Sequence, residues 1–239
     1  MAGIILAILL ALAAPTERPL PPEKPAAPAY EPTANYTVRN IEGWKVYVNN
    51  RLLTEKKELG DETLKLLAVH LYDVNRMVPR PALDRLHEVA IWVEADSKVV
   101  KCMCYHPSKE WLTEHGFNPD KAGAVELGNP VSFLDWTHHQ RAMVLHELAH
   151  GYHHHVLGYD NPDIKAAYKK AMEGKSYESV LFYDGTKKRA YAAGNDQEYF
   201  AELSEAYFST NDFYPFVRPE VKEHDPTAFE MLKKVWGRK

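Results

Sequence analysis

Cysteine is scarce in this chain. Cys102 and Cys104 are the two it has in 239 residues, which excludes a small scaffold built on disulfides. They lie in VVKCMCYHP, whose alternation reads as a strand. Residues two apart on a strand share a face but lie about 6.5–7 Å apart along the chain. That is at or beyond the usual Cα separation of a disulfide, so the pair does not look like a staple. His106 continues the face. Cys102, Cys104 and His106 are therefore either small buried core groups or a soft-metal site.

Positive charge is also in short supply. Lysine and arginine number 29 against 33 acids, a net charge of −4. Basic clusters such as Lys56-Lys57 and Lys187-Lys188-Arg189 are scattered and read as solvated faces, so nothing points to a nucleic-acid partner. There is no Gly-rich phosphate loop, no G-x-S-x-G elbow and no internal repeat. The apolar run in MAGIILAILLALAAP is about 13 residues, too short to span a bilayer comfortably. It suits the core of a secretory signal peptide, with Ala11-Leu12-Ala13 as the cleavage signal, although no Lys or Arg precedes it. The expectation is a signal peptide at 1–13, a secreted product and no stable membrane insertion after cleavage. An uncleaved anchor is the alternative.

Seven of the sixteen prolines fall between Pro15 and Pro32. Such a composition cannot pack a core, so residues 14–35 read as an extended linker. The folded domain is expected over 36–239. Within it, WKVYVNNRLL reads as a strand, an Asn-Asn turn and a second strand. Leu64, Leu67, Leu71, Val74 and Val78 recur at helical spacing, with Pro79 and Pro81 as stops. HEVAIWVEA alternates as a strand, with SKVVKCMCY as its neighbour and KAGAVELGN as a further strand. PSKEWLTEHG suggests a short helix. Helices are then expected at 138–157, 161–173, 195–209 and 225–236. Strands first and helices later indicate an α+β fold.

Five of the twelve histidines sit in MVLHELAHGYHHHV. His146-Glu147-Leu148-Ala149-His150 is H-E-x-x-H. Residues four apart share a helix face, so both imidazoles can reach one zinc ion, with Glu147 beside them as a base for metal-bound water. Leu145, Leu148, Ala149, Tyr152 and Val156 form an apolar stripe, so the helix is packed and its ligand face looks inward. One helix cannot wrap three ligands tetrahedrally around an ion without strain. His153, His154 and His155 are thus expected to be surface groups or to support the ligands from outside. The third ligand is sought in NDQEYFAELSEAYF, where Glu198, Glu202 and Glu205 share one stripe. Asn195-x-x-Glu198 also reads as a helix capping box, and the stripe also reads as solvated.

HELAH followed about 45 residues later by NDQEYFAELSEAYF resembles the gluzincin class of zinc metallopeptidases. The likeness is nearest to the catalytic-domain family of anthrax toxin lethal factor, and covers roughly residues 143–236. It implies a zincin-like fold: a small mixed sheet, then the active-site helix and a mostly helical C-terminal part closed by DPTAFEMLKKVW. It implies one zinc ion held by His146, His150 and Glu198. It implies Glu147 as general base for the zinc-activated water, Tyr191 as oxyanion donor and Glu202 as the group orienting a ligand histidine. A peptide or protein substrate would add as a strand, with KAGAVELGN as the expected edge. The rival readings are a non-catalytic, zinc-stabilised extracellular binding module and a histidine-rich metal binder using His150 and His153 to His155.

Overall fold

The computed structural model describes residues 30–237. The expected signal peptide and residues 14–29 of the linker lie outside the described residues. The end of the linker is held by the domain. Asn118 Nδ2 donates to Glu31 O at 3.1 Å and to Thr33 Oγ1 at 3.0 Å, and Thr33 Oγ1 donates to Asp120 at 2.6 Å. The packed chain thus begins slightly before Tyr36.

Strands β1 (Tyr36–Ile41) and β2 (Trp44–Asn49) form an antiparallel hairpin. Its loop residues Glu42 and Gly43 have φ of 52° and 102°, the left-handed pair that a two-residue hairpin needs. The expected Asn-Asn turn is instead a helix start. Asn49 Oδ1 accepts from Arg51 N at 3.0 Å and caps the short helix α1 (Asn50–Leu53). Asparagine suits turns and N-caps equally. Helix α2 (Lys57–Met77) buries Leu64, Leu67, Leu71 and Val74 as its spacing requires. It ends before Pro79, but Pro81 stops nothing. It sits in the first turn of α3 (Arg80–Leu86), where a missing N–H costs little.

Three further strands follow: β3 (Ile91–Val93), β4 (Met103–His106) and, after helix α4 (Lys109–Glu114), β5 (Ala124–Leu127). The sheet order is β1-β2-β3-β5-β4. The β2–β3 and β3–β5 pairs are parallel and the two outer pairs antiparallel. This mixed sheet and the helices around it make an α+β fold. Two expectations are corrected. β4 does not neighbour β3, because β5 lies between them. KAGAVELGN is therefore not an edge. Its strand β5 is buried at all four residues, as an internal strand must be, whereas β4 is half-buried and lies at the sheet margin.

The remainder is mostly helical: α5 (Pro130–Trp136), α6 (Met143–Tyr152), α7 (Pro162–Glu173), α8 (Asp196–Phe208), α9 (Arg218–His224) and α10 (Pro226–Val235), with a small hairpin of β6 (Val180–Leu181) and β7 (Lys187–Lys188) between α7 and α8. Every residue of α6 is buried. A Cβ at Gly151 would stand 2.9 Å from Val89 and 3.4 Å from the Tyr105 ring. Glycine there lets α6 settle against β4. From behind, Trp236 stacks on Tyr152 at 4.3 Å and its indole N–H donates to Ser204 Oγ of α8 at 3.0 Å. The closing helix thus braces α6 and α8 against each other. No helix among the described residues is long and apolar enough to cross a membrane.

Candidate metal centre

α6 carries His146, Glu147 and His150, and α8 faces it. Asn195 Oδ1 accepts from Glu198 N at 2.7 Å and starts α8. This is half of a capping box. The Glu198 carboxylate does not turn back to complete it but reaches across to the imidazoles. Its Oε2 lies 3.2 Å from His146 Nε2 and 3.3 Å from His150 Nε2, and the two Nε2 atoms are 3.1 Å apart. A tetrahedral zinc ion with bonds of about 2.0–2.1 Å holds its ligand atoms about 3.3 Å apart. The three donors fit that triangle.

The electrostatics favour a cation at the same point. Burial alone would push His146 down, yet hydrogen bonds to Glu198 and Glu205 hold it well above the usual imidazole range. Burial would push Glu198 up, yet the same imidazoles hold it well below the usual carboxylate range. The cluster stabilises positive charge where its donor atoms meet.

The group that orients His146 differs from the expected one. His146 Nδ1 donates to Glu205 Oε1 at 2.7 Å, while Glu202 Oε1 is 3.8 Å away. Glu205 is one helical turn beyond Glu202 and reaches the ring more directly. A carboxylate on Nδ1 fixes the tautomer that leaves Nε2 free to ligate. Replacing Glu205 by Gln is expected to weaken zinc binding about 10–100-fold in competition with a chelator. Glu202→Gln should weaken it less. Glu202, Glu205 and nearby Asp212 are all pushed up, chiefly by burial, and for Glu202 next by the Glu205 carboxylate.

The sites of Glu147 and Tyr191 adjoin the same cleft, which has a volume of about 700 Å³. Glu147 is buried beside the donor triangle. Tyr191 is 56% exposed at the mouth, with its ring centre 6.4 Å from that of His146. Arg189 and Tyr168 both donate to Ala193 O, at 2.7 and 3.2 Å, and steady the turn that carries it. Sequence reasoning gave no role to Glu205, Asp212, Gln140 or Tyr159, which also line the cleft. Glu205 was visible as the third member of the α8 stripe. The others carry no local signal.

The trailing histidines divide. After Tyr152 the helix widens into a π turn over His153–Leu157. His153 is not on the surface: it is fully buried and edge-on to Tyr159 and Phe200, each at 5.0 Å. His154 Nδ1 and His155 Nε2 meet the Tyr105 hydroxyl at 2.7 and 2.9 Å, and His155 Nε2 also lies 3.1 Å from Gly123 O. They tie β4 to the end of α6.

His153 has a measurable consequence. Neither ring nitrogen has a hydrogen-bond partner, and burial lowers its pKa from 6.5 to about 4. The unfolded chain takes up this proton near pH 6.5, while the folded protein resists until about pH 4. The contribution to stability is whole above the first value and is lost as pH falls toward the second, up to about 3 kcal/mol. Denaturant unfolding of the metal-free protein should lose less stability over this window in His153→Leu than in wild type.

The Cys-His face does not form the soft-metal site in the expected set. Cys102 Sγ contacts Met143 Sδ at 3.2 Å. Cys104 Sγ is 3.4 Å from His106 Nε2, which is 2.7 Å from Glu126 Oε2. Lys121 already supplies a positive charge there, 3.0 Å from Glu126 and 2.6 Å from Glu94. Burial pushes the Cys104 thiol up and keeps it protonated. Cys104, His106 and Glu126, with Lys121 beside them, form a buried polar network whose donor atoms lie close enough together to share an ion. Compared with family models, with curated proteins and with solved structures, the chain matches none.

Proposed function

We propose that the protein is a secreted zinc metallopeptidase with a zincin-like fold. The observation that carries this reading is the convergence of two imidazole nitrogens and one carboxylate oxygen within 3.3 Å, beside a buried glutamate and in an open cleft. His146, His150 and Glu198 would hold one zinc ion. Three protein ligands leave a position for chemistry, whereas structural zinc is usually closed by four. When bound, zinc supplies Lewis acidity and makes a water acidic near neutral pH.

The chain's own groups do the rest. Glu147 takes the proton from the attacking water and returns it to the leaving amine. Tyr191, at the cleft mouth, donates a hydrogen bond from its hydroxyl to the oxygen on which negative charge develops. Glu205 keeps His146 in the ligating tautomer, and Glu202 backs it. The sheet margin at β4 is where a substrate strand would dock. β5 directs Val125 N to Ala90 O of the β3 side, so by alternation Cys104 and His106 pair with β5. Met103 and Tyr105 then present their backbone groups to the cleft. An extended peptide would add there as a sixth strand.

The test is cleavage of a diverse peptide library by the purified protein carrying one zinc per chain. Cleavage that stops with a chelator and returns with zinc supports the reading. Stoichiometric zinc without cleavage of any peptide would favour the zinc-stabilised binding module.

A further inference from the structure

The cleft extends past the metal donors on the His146 side into a recess with an acidic floor. Glu202, Glu205 and Asp212 line it, and Trp136, Phe182 and Phe213 wall it. These parts belong to one corner. Gln140 N donates to Trp136 O at 2.8 Å and Gln140 Nε2 to Asp212 Oδ2 at 3.2 Å, while the Phe182 and Phe213 rings lie 4.6 Å apart. Glu202 Oε2 has no hydrogen-bond partner, although the side chain is only 6% accessible. The Glu202 side chain lines the cleft, and leaving a buried carboxylate oxygen unpaired is costly.

Charge points the same way. Five carboxylates line the cleft, Glu147, Glu198, Glu202, Glu205 and Asp212, against one amine, Lys188. Lys188 is held at the rim over the Phe182 ring at 3.8 Å and 3.5 Å from Asp184. Aromatic walls suit a cation as well, since ring faces attract one.

The direction of the bound peptide fixes which residue meets the recess. Cys102, just before β4, touches Met143 at the start of α6. Tyr105, further along, touches His154 beyond the end of α6. Antiparallel pairing is the more stable arrangement. A peptide antiparallel to β4 therefore runs from the Tyr105 end toward the Cys102 end. Residues after the scissile bond then lie on the recess side. We infer that the recess selects a lysine or arginine side chain immediately after the bond cut.

This rests on the peptidase reading, so the test has two arms. In the first, the zinc-loaded protein cleaves the peptide library and the new N-termini are sequenced. Lysine and arginine should be enriched there by about 10-fold or more, the range of a charged hydrogen bond. Asp212→Asn should lower that enrichment relative to leucine at the same position. Apolar residues at the new N-termini, or an enrichment unchanged in Asp212→Asn, would overturn the inference and leave the peptidase reading standing. If nothing is cleaved, that reading falls and the second arm decides the recess. Calorimetry with n-butylguanidinium should then show one-to-one binding to wild type, lost in Asp212→Asn. No binding to wild type, or equal binding to both, overturns it.

Discussion

Glu198→Ala is expected to lose zinc, with an affinity drop of more than about 100-fold, beyond the range seen when a supporting group is removed. The reason is positional. Among the described residues, Glu198 Oε2 is the one oxygen that meets both Nε2 atoms, at 3.2 and 3.3 Å. It also supplies the negative charge that offsets a dication in a buried pocket. Two imidazoles four residues apart cannot close the triangle alone. The histidines downstream offer no replacement: His153 is sealed among Tyr159 and Phe200, and His154 and His155 are engaged with Tyr105. A histidine-rich metal binder would hardly notice the change. Zinc retained after dialysis, with circular dichroism to verify folding, separates the two outcomes.

The second large effect is on turnover. Glu147→Gln should keep one zinc per chain and lose about 10²–10⁴-fold in cleavage rate, the usual contribution of a positioned base. Glu147 is outside the donor triangle, so its replacement leaves metal affinity nearly intact. It is isosteric and buried beside the donors, so the cleft keeps its shape. Rapid cleavage by this variant would place the base elsewhere. Zinc loss would mean that Glu147 is a ligand.

Much of this site was legible in the sequence, because helix geometry is local. The i, i+4 spacing of His146 and His150 fixes their common face, and the Glu198 stripe announces a second inward-looking helix. Glu205 over Glu202 was not legible. Both lie on that stripe, and which reaches His146 Nδ1 depends on how far α8 slides along α6. That slide is set by packing such as Trp236 against Tyr152 and Ser204. The substrate edge was misplaced for a similar reason. Alternation identifies strands but not their order, and β5 becomes internal only because β3 pairs with it in parallel. His153 was expected at the surface or supporting the ligands from outside, because one helix cannot wrap three ligands around an ion. It is instead sealed between Tyr159 and Phe200, contacts that helical spacing does not reveal.

The most direct test of the central claim is X-ray absorption at the zinc edge on protein loaded with one zinc per chain. The account predicts two imidazole ligands, with oxygen atoms as the remainder, from Glu198 and solvent. A sulfur neighbour, or a third and fourth imidazole, would contradict it.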